Sequence, residues 1–276
     1  MKEKWIVGFI FPDRTASKAC VADLERICPE GKSRNSFWIA LYKGDPRLEL
    51  ILQRLRDEGL QADGHARDSQ GFFPLRIERT YSRTDLDNSA LLISEPKKVV
   101  TQVADVSEAG HVSVAAGKLD SSLNIFALDV EVTVVTQEVK EQMMAAGLQH
   151  VAFEPVLVTG RGADRWQGKI WQLSSDLKLP KLSPKCKLVY PGRDGGPFDG
   201  DYSRWVMIEE EFYVPHLPHY RASDLANIES FDLACPFERM TYHPYEKYLI
   251  ASQRFYRFCK DRGYRLSWWP VCIDPD

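Results

Sequence analysis

Apolar positions along the chain fall into short continuous runs separated by segments of helical spacing, and one such arrangement occurs twice. Val134-Val135 leads to Thr136 and then to a segment in which Val139, Met143 and Met144 recur at i, i+4 and i+5. Gly147 closes that segment, and the run Phe153-Glu154-Pro155-Val156-Leu157-Val158 follows. The order returns with Ile250-Ala251, then Ser252, then Phe255, Phe258 and Cys259 with Lys260 turned to water, then Gly263 and Trp268-Trp269-Pro270-Val271-Cys272-Ile273. Apolar residues three and four apart mark one face of a helix, and short apolar runs mark strands. Thr136 and Ser252 stand where a side-chain oxygen can accept an orphan N–H of the first turn. Gly147 and Gly263 stand where a helix ends in a left-handed residue. Each copy therefore predicts strand–helix–strand, and the proline places the second strand at a sheet edge or a bulge. The copies differ by one residue between glycine and proline.

A third, more distant copy lies upstream. Phe37-Trp38-Ile39-Ala40-Leu41 reads as a strand, Asp45-Pro46 opens a helix with proline at its first position, and Leu48, Ile51, Leu52 and Leu55 form the apolar stripe. Gly59 ends it, and Phe72-Phe73-Pro74-Leu75-Arg76-Ile77 matches the proline-bearing strands after a longer loop. A further echo sets Thr80-Tyr81-Ser82-Arg83-Thr84-Asp85-Leu86 beside His219-Tyr220-Arg221-Ala222-Ser223-Asp224-Leu225, each with a Ser/Thr-Asp pair suited to opening a turn or short helix. Trp5 to Phe11 reads as a first strand. The expected architecture is α+β: an N-terminal α/β domain over residues 1–79, and a domain over 80–276 built from two repeated strand–helix–strand units on mixed sheets.

The segment from Val135 to Val158 resembles a stretch found in bacterial immunity proteins of polymorphic-toxin systems, the imm11-like group. The family's form is a strand, a helix opening on Ser or Thr, then Gly-Leu or Gly-Val, then a Phe-x-Pro-apolar strand; Trp171-Gln172-Leu173 also matches its flavour. The resemblance implies a protein of the bacterial cytoplasm that binds and neutralises a cognate secreted antibacterial toxin. It implies no catalysis, and it transfers no binding residues, because such interfaces diverge with each toxin.

Composition narrows the partners. Hydrophobic residues make up 44% of the chain and charged residues 27%, with a formal net charge of -3, so a dominant phosphate-backbone partner is not expected. The N-terminal apolar run meets Pro12-Asp13-Arg14 instead of a cleavage site, and no run approaches the roughly 20 apolar residues of a membrane span. The reading is cytoplasmic. Cys20, Cys28, Cys186, Cys235, Cys259 and Cys272 include no C-x-x-C pair and read as reduced, buried thiols.

Between Arg193 and Glu211 stand six carboxylates against two arginines, in a Gly- and Pro-rich stretch that predicts an exposed loop. Asp194, Phe198, Asp199, Asp201, Tyr202, Trp205, Glu209, Glu210 and Glu211 are the candidate partner-binding residues, acids for encounter with a basic nuclease groove and aromatics for anchorage. Toward the C-terminus Arg254, Arg257 and Lys260 read as the solvated basic face of a helix. His216 and His219 are the close histidine pair, but Pro218 and the lack of a nearby cysteine argue against zinc. The glycines of Val158-Thr159-Gly160-Arg161-Gly162-Ala163-Asp164 lack phosphate-loop spacing and read as a turn. No serine elbow or Ser-x-x-Lys set is present. The expected function is thus a toxin inhibitor with no catalytic residues, cofactor or metal, the alternative being a small-molecule or nucleic-acid hydrolase that uses the acidic 199–211 segment with His216 and His219.

Overall fold

The computed structural model describes residues 1–10, 17–31, 36–63, 72–101, 105–106, 112–128, 132–186, 188–189, 205–208, 217–240 and 248–276. They form two compact units, Met1–Asp85 in the first, and Leu86–Ile208 with Leu217–Asp276 in the second. The sequence reading divides the chain after residue 79. Helices combine with mixed and antiparallel sheets, so the class is α+β. Among the described residues no helix is long and apolar enough to cross a membrane.

The first unit contains β1 (Lys2–Ile10), α1 (Lys18–Ile27), β2 (Ser36–Tyr42), α2 (Pro46–Asp57), β3 (Gln61–Asp63) and β4 (Phe72–Thr80), with sheet order β2-β1-β4-β3. β1 runs antiparallel to both β2 and β4, so β2 and β4 are parallel and one strand apart. Phe37, Ile39 and Leu41 alternate inward with Val7 against Leu48, Ile51, Leu52 and Leu55 of α2 and Cys20 and Leu24 of α1. Ser17 opens α1 by accepting the Cys20 N–H, and Asp45 opens α2 by accepting the Arg47 N–H. Pro74 departs from the expected edge position. The longer loop adds β3 alongside β4, with Asp63 opposite Pro74. The ladder with β1 ends at Val7–Leu75, so the missing N–H falls just beyond it.

After α3 (Arg83–Asp87) the second unit begins with β5 (Leu91–Pro96), β6 (Val99–Val100), β7 (Asp105–Val106), β8 (Val112–Ala115) and β9 (Ile125–Leu128). The first copy of the repeat follows as β10 (Val132–Thr136), α4 (Gln137–Ala145) and β11 (Ala152–Pro155), continuing into β12 (Leu157–Thr159) and β13 (Ile170–Ser174). Next come β14 (Leu188–Val189), β15 (Trp205–Ile208), β16 (His219–Arg221), α5 (Ala222–Ala226), β17 (Leu233–Ala234) and β18 (Arg239–Met240). The second copy is β19 (Leu249–Ser252), α6 (Gln253–Asp261) and β20 (Leu266–Pro270), continuing into β21 (Cys272–Asp274).

Both copies build one frame. The parallel strands around each helix are split by a single antiparallel strand, β13 between β10 and β11, and β5 between β19 and β20. β9 flanks β10 as β17 flanks β19, and β11 and β20 are sheet edges, where their prolines are tolerated. The backbone repeats bond for bond. The N–H of Thr136 reaches the Asn124 carbonyl at 3.0 Å and that of Ser252 the Asp232 carbonyl at 3.0 Å; Val156 bonds Ile170 as Val271 bonds Leu91, and Leu148 bonds Met143 as Tyr264 bonds Cys259. Past each proline the chain joins an upstream strand in parallel, β12 with β8 and β21 with β16. The counterpart of β16 is therefore β8, and the 80–86 echo extends only to the short helices α3 and α5. A Ser/Thr-Asp pair encodes a local turn; it does not select the sheet that the preceding strand joins, and Thr80 ends a strand paired with β1.

The copies share one core. Val139 and Met143 of α4 and Phe255, Phe258 and Cys259 of α6 lie in a single cluster with Ile125, Val135, Leu249 and Leu266. Met144, expected in the stripe, is 63% exposed, because the buried face of this short helix is only one residue per turn wide. The one-residue difference between the copies is absorbed at His150, whose φ of 58° is the only positive value at a non-glycine among the described residues. That turn carries the Gln149 N–H to Asp232 Oδ2 at 2.8 Å and sets the His150 ring between Asp176 and Glu229.

The basic face of α6 is more than solvated surface. Arg254 donates to the Ala146 and Gly147 carbonyls at the end of α4 and to the buried Asp232 at 2.8 Å. Lys260 reaches Asp87 at 2.9 Å. The caps also differ. Ser252 Oγ accepts the Phe255 N–H and donates to Asp232, whereas the buried Thr136 hydroxyl has no partner because Asn124, at the place of Asp232, is exposed. Ser252→Ala is thus expected to cost about 1 kcal/mol, while Thr136→Val at the matching position is neutral or stabilising. Urea unfolding of the two variants checks this, and equal losses at both sites would contradict it.

Candidate functional site

The β16–β21 ladder pairs His219 with Cys272, Tyr220 with Ile273 and Arg221 with Asp274. At the matching rungs of β8 and β12 the residues are Ser113 with Leu157, Val114 with Val158 and Ala115 with Thr159. One backbone arrangement is thus lined by ionisable groups in one copy and by none in the other. A strap over residues 177–186 brings further polar groups to the former. Leu179 N–H and Cys235 N–H bond across the strap's start at 2.9 Å each, and the Ser183 N–H reaches the His219 carbonyl at 2.7 Å.

Asp274 is the hub. Its Oδ2 accepts from Ser183 Oγ at 2.8 Å, and its Oδ1 lies 2.9 Å from His219 Nδ1 and 3.2 Å from Lys185 Nζ. These partners, the histidine first and the serine next, hold its carboxyl down at about 2. Both Asp274 and Ser183 are buried. Outside them opens a pocket of about 400 Å³, lined by Ser183, Pro184, Lys185, Arg221, Ser223, Asp274, Pro275 and Asp276. Beneath lies a second set of groups. Cys186 accepts the His219 N–H at its sulfur, and burial lifts its thiol to about 11. Glu238 gives one carboxyl oxygen to the Leu182 N–H at 2.9 Å, while its other oxygen and the Tyr220 hydroxyl are buried without partners. Burial raises both the Glu238 carboxyl and the Tyr220 phenol above their ordinary values.

Serine, histidine and aspartate meet here in an order unlike that of an activated nucleophile. The Ser183 hydroxyl donates to Asp274 and not to the imidazole, and a carboxylate with so low a pKa is a weak acceptor of a serine proton. The geometry serves to fix charge, clamping the strap to β16 and β21.

Of the residues singled out in the sequence, Trp205 opens β15, which pairs antiparallel with β14 and parallel with β18. Asp194, Phe198, Asp199, Asp201, Tyr202, Glu209, Glu210 and Glu211 lie outside the described residues, as does His216. His219 is held by Asp274, and no group of three or more metal-ligating side chains occurs among the described residues. Cys20, Cys28, Cys186 and Cys259 are free and buried, while Cys235 and Cys272 are only partly so. The 158–164 glycines form the expected turn, with Gly160 and Gly162 at positive φ. Ser183, Lys185, Glu238 and Asp274 went unsignalled, because they converge from separate segments with no motif spacing. Comparison of the chain with family models, with curated proteins and with solved structures gives no match.

Glu238 supplies a pH test. Its folded pKa is raised, so between its unfolded value near about 4.3 and its folded value the native state holds the extra proton, and stability falls as pH rises through that window. Glu238→Gln keeps the acceptor for Leu182 and cannot ionise. The variant is expected to be more stable than the parent at neutral pH, with the gap closing toward pH of about 4. Denaturant midpoints measured across that range check it, and a constant gap would refute the assignment.

Proposed function

We propose that the chain is an immunity protein that binds a cognate secreted antibacterial toxin of the nuclease class and occludes its active site or a surface the toxin requires. One observation carries the reading. β14 and β15 pair antiparallel, with Leu188 opposite Ile208 and Val189 opposite Met207, so both ends of the acidic 190–204 connection are anchored in one ladder. The stretch of sequence that concentrates Asp194, Phe198, Asp199, Asp201 and Tyr202 therefore connects two strands paired with each other. Two-ended attachment lowers the ordering cost of a recognition segment. Complementary charge would speed encounter with a basic groove, and the aromatics would supply anchoring contacts. The resemblance to imm11-like proteins points the same way. On this reading the protein acts in the cytoplasm, uses no cofactor and performs no catalysis.

The hydrolase alternative needs an activated nucleophile or a metal-held water, and the Ser183–Asp274–His219 order favours it less than the inhibitor reading. The test uses the product of the adjacent reading frame as the partner. Lysine substitutions at Asp199, Asp201, Glu209, Glu210 and Glu211 are expected to weaken binding at least about tenfold, mainly through slower association and a flattened salt dependence, with the unfolding transition unchanged. Protection of cells by the reversed-charge protein equal to that of the parent would overturn the assignment of this segment.

A further inference from the structure

We propose that the pocket at the end of the β16–β21 ladder binds a small zwitterion of the free α-amino-acid class. The duplicated frame provides an internal control. β8 and β12 form the same parallel ladder with Ser113, Ala115, Leu157 and Thr159 where β16 and β21 carry His219, Arg221, Cys272 and Asp274. Parallel pairing at this place therefore requires neither the guanidinium nor the carboxylate.

Within the pocket the charges divide into two kinds. Asp274 is spent on Ser183, His219 and Lys185. The exposed Arg221 side chain makes no hydrogen bond among the described residues, and it lines the same open space as Asp276, whose carboxylate it stabilises by charge alone. Asp276 uses one carboxyl oxygen on the Ser223 N–H at 3.1 Å, which leaves the other for a ligand. A lone anion entering here would meet Asp276, and a lone cation would meet Arg221. A ligand carrying a carboxylate and an ammonium on one small carbon frame replaces the long-range attraction between Arg221 and Asp276 with a direct charged hydrogen bond to each. The guanidinium fork suits a carboxylate bidentately, with Lys185 beside it, and Asp276 accepts from the ammonium. About 400 Å³ lies in the range of small-molecule sites and accommodates an amino acid with its side chain directed outward. The inference does not depend on the inhibitor reading.

The full chain is titrated calorimetrically with free L-amino acids of small, apolar, acidic and basic side chains, and with acetate and methylammonium as single-charge probes. At least one amino acid is expected to bind with Kd below about 1 mM, with acetate and methylammonium at least about tenfold weaker. Arg221→Gln, a change at an exposed side chain, is expected to weaken that binding at least about tenfold without moving the thermal unfolding midpoint. Thr159→Ala, at the matching rung of the other copy, leaves binding unaltered. Absence of binding by every amino acid, acetate binding as tight as any amino acid, or an Arg221→Gln protein that binds like the parent would each overturn the proposal.

Discussion

Val139 and Met143 of α4 meet Phe255, Phe258 and Cys259 of α6 in a single core, so the helices of the two copies bury their apolar faces in one cluster. Each helix is about two and a half turns long, too short to be stable alone in water, and each offers one narrow apolar face. Truncating a buried phenylalanine such as Phe255 to alanine costs about 3–5 kcal/mol, more than the loss of any cap or surface ion pair in the unit. Arg254 then adds direction to an otherwise non-directional contact. Its fork takes the last carbonyls of α4 and the buried Asp232, which fixes how far along α4 the start of α6 must sit.

Local features of this arrangement were legible in the chain and long-range ones were not. Helical spacing, the Ser252 cap, the terminal glycines and Pro46 act within a few residues, and they place α2, α4 and α6 where the sequence puts them. The strand that splits each parallel pair has no such signature, since β5, β13 and β1 are recruited from outside the repeat by backbone hydrogen bonds that any apolar run can make. Thr136 looked like a cap because its type and position were right; what it lacked was an acceptor at residue 124. Helix α1 has a weak sequence signal, with few apolar positions and no glycine stop to match its Ser17 cap. His219 has His216 near it in sequence, yet its bonding partner Asp274 comes from the far end of the unit.

Duplication also separates what the frame needs from what it merely carries. Cap, glycine and proline recur in both copies and serve geometry. The departures from symmetry are chemical: an imidazole, a guanidinium and two buried carboxylates gather at one ladder, against two hydroxyls, a methyl and branched aliphatics at its counterpart. Buried Glu238 and Tyr220, each with an unmet polar atom, lower stability where Val114 in the other copy incurs no such cost. Ionisable groups that the backbone does not demand are where binding is best sought.

The central strands of the two copies come from opposite directions along the chain. β13 is made after the copy it completes, but β5 is made before its own, and Leu91 finds Ser252 only across most of the second unit. During synthesis at about 5–20 residues per second, β5 therefore waits on the order of ten seconds as an unpaired apolar edge. The strands of the first copy follow one another closely from the ribosome; the second copy holds its centre open until β19 and β20 emerge. A nascent chain of this topology has a natural docking period for chaperones, and its shared core sets last.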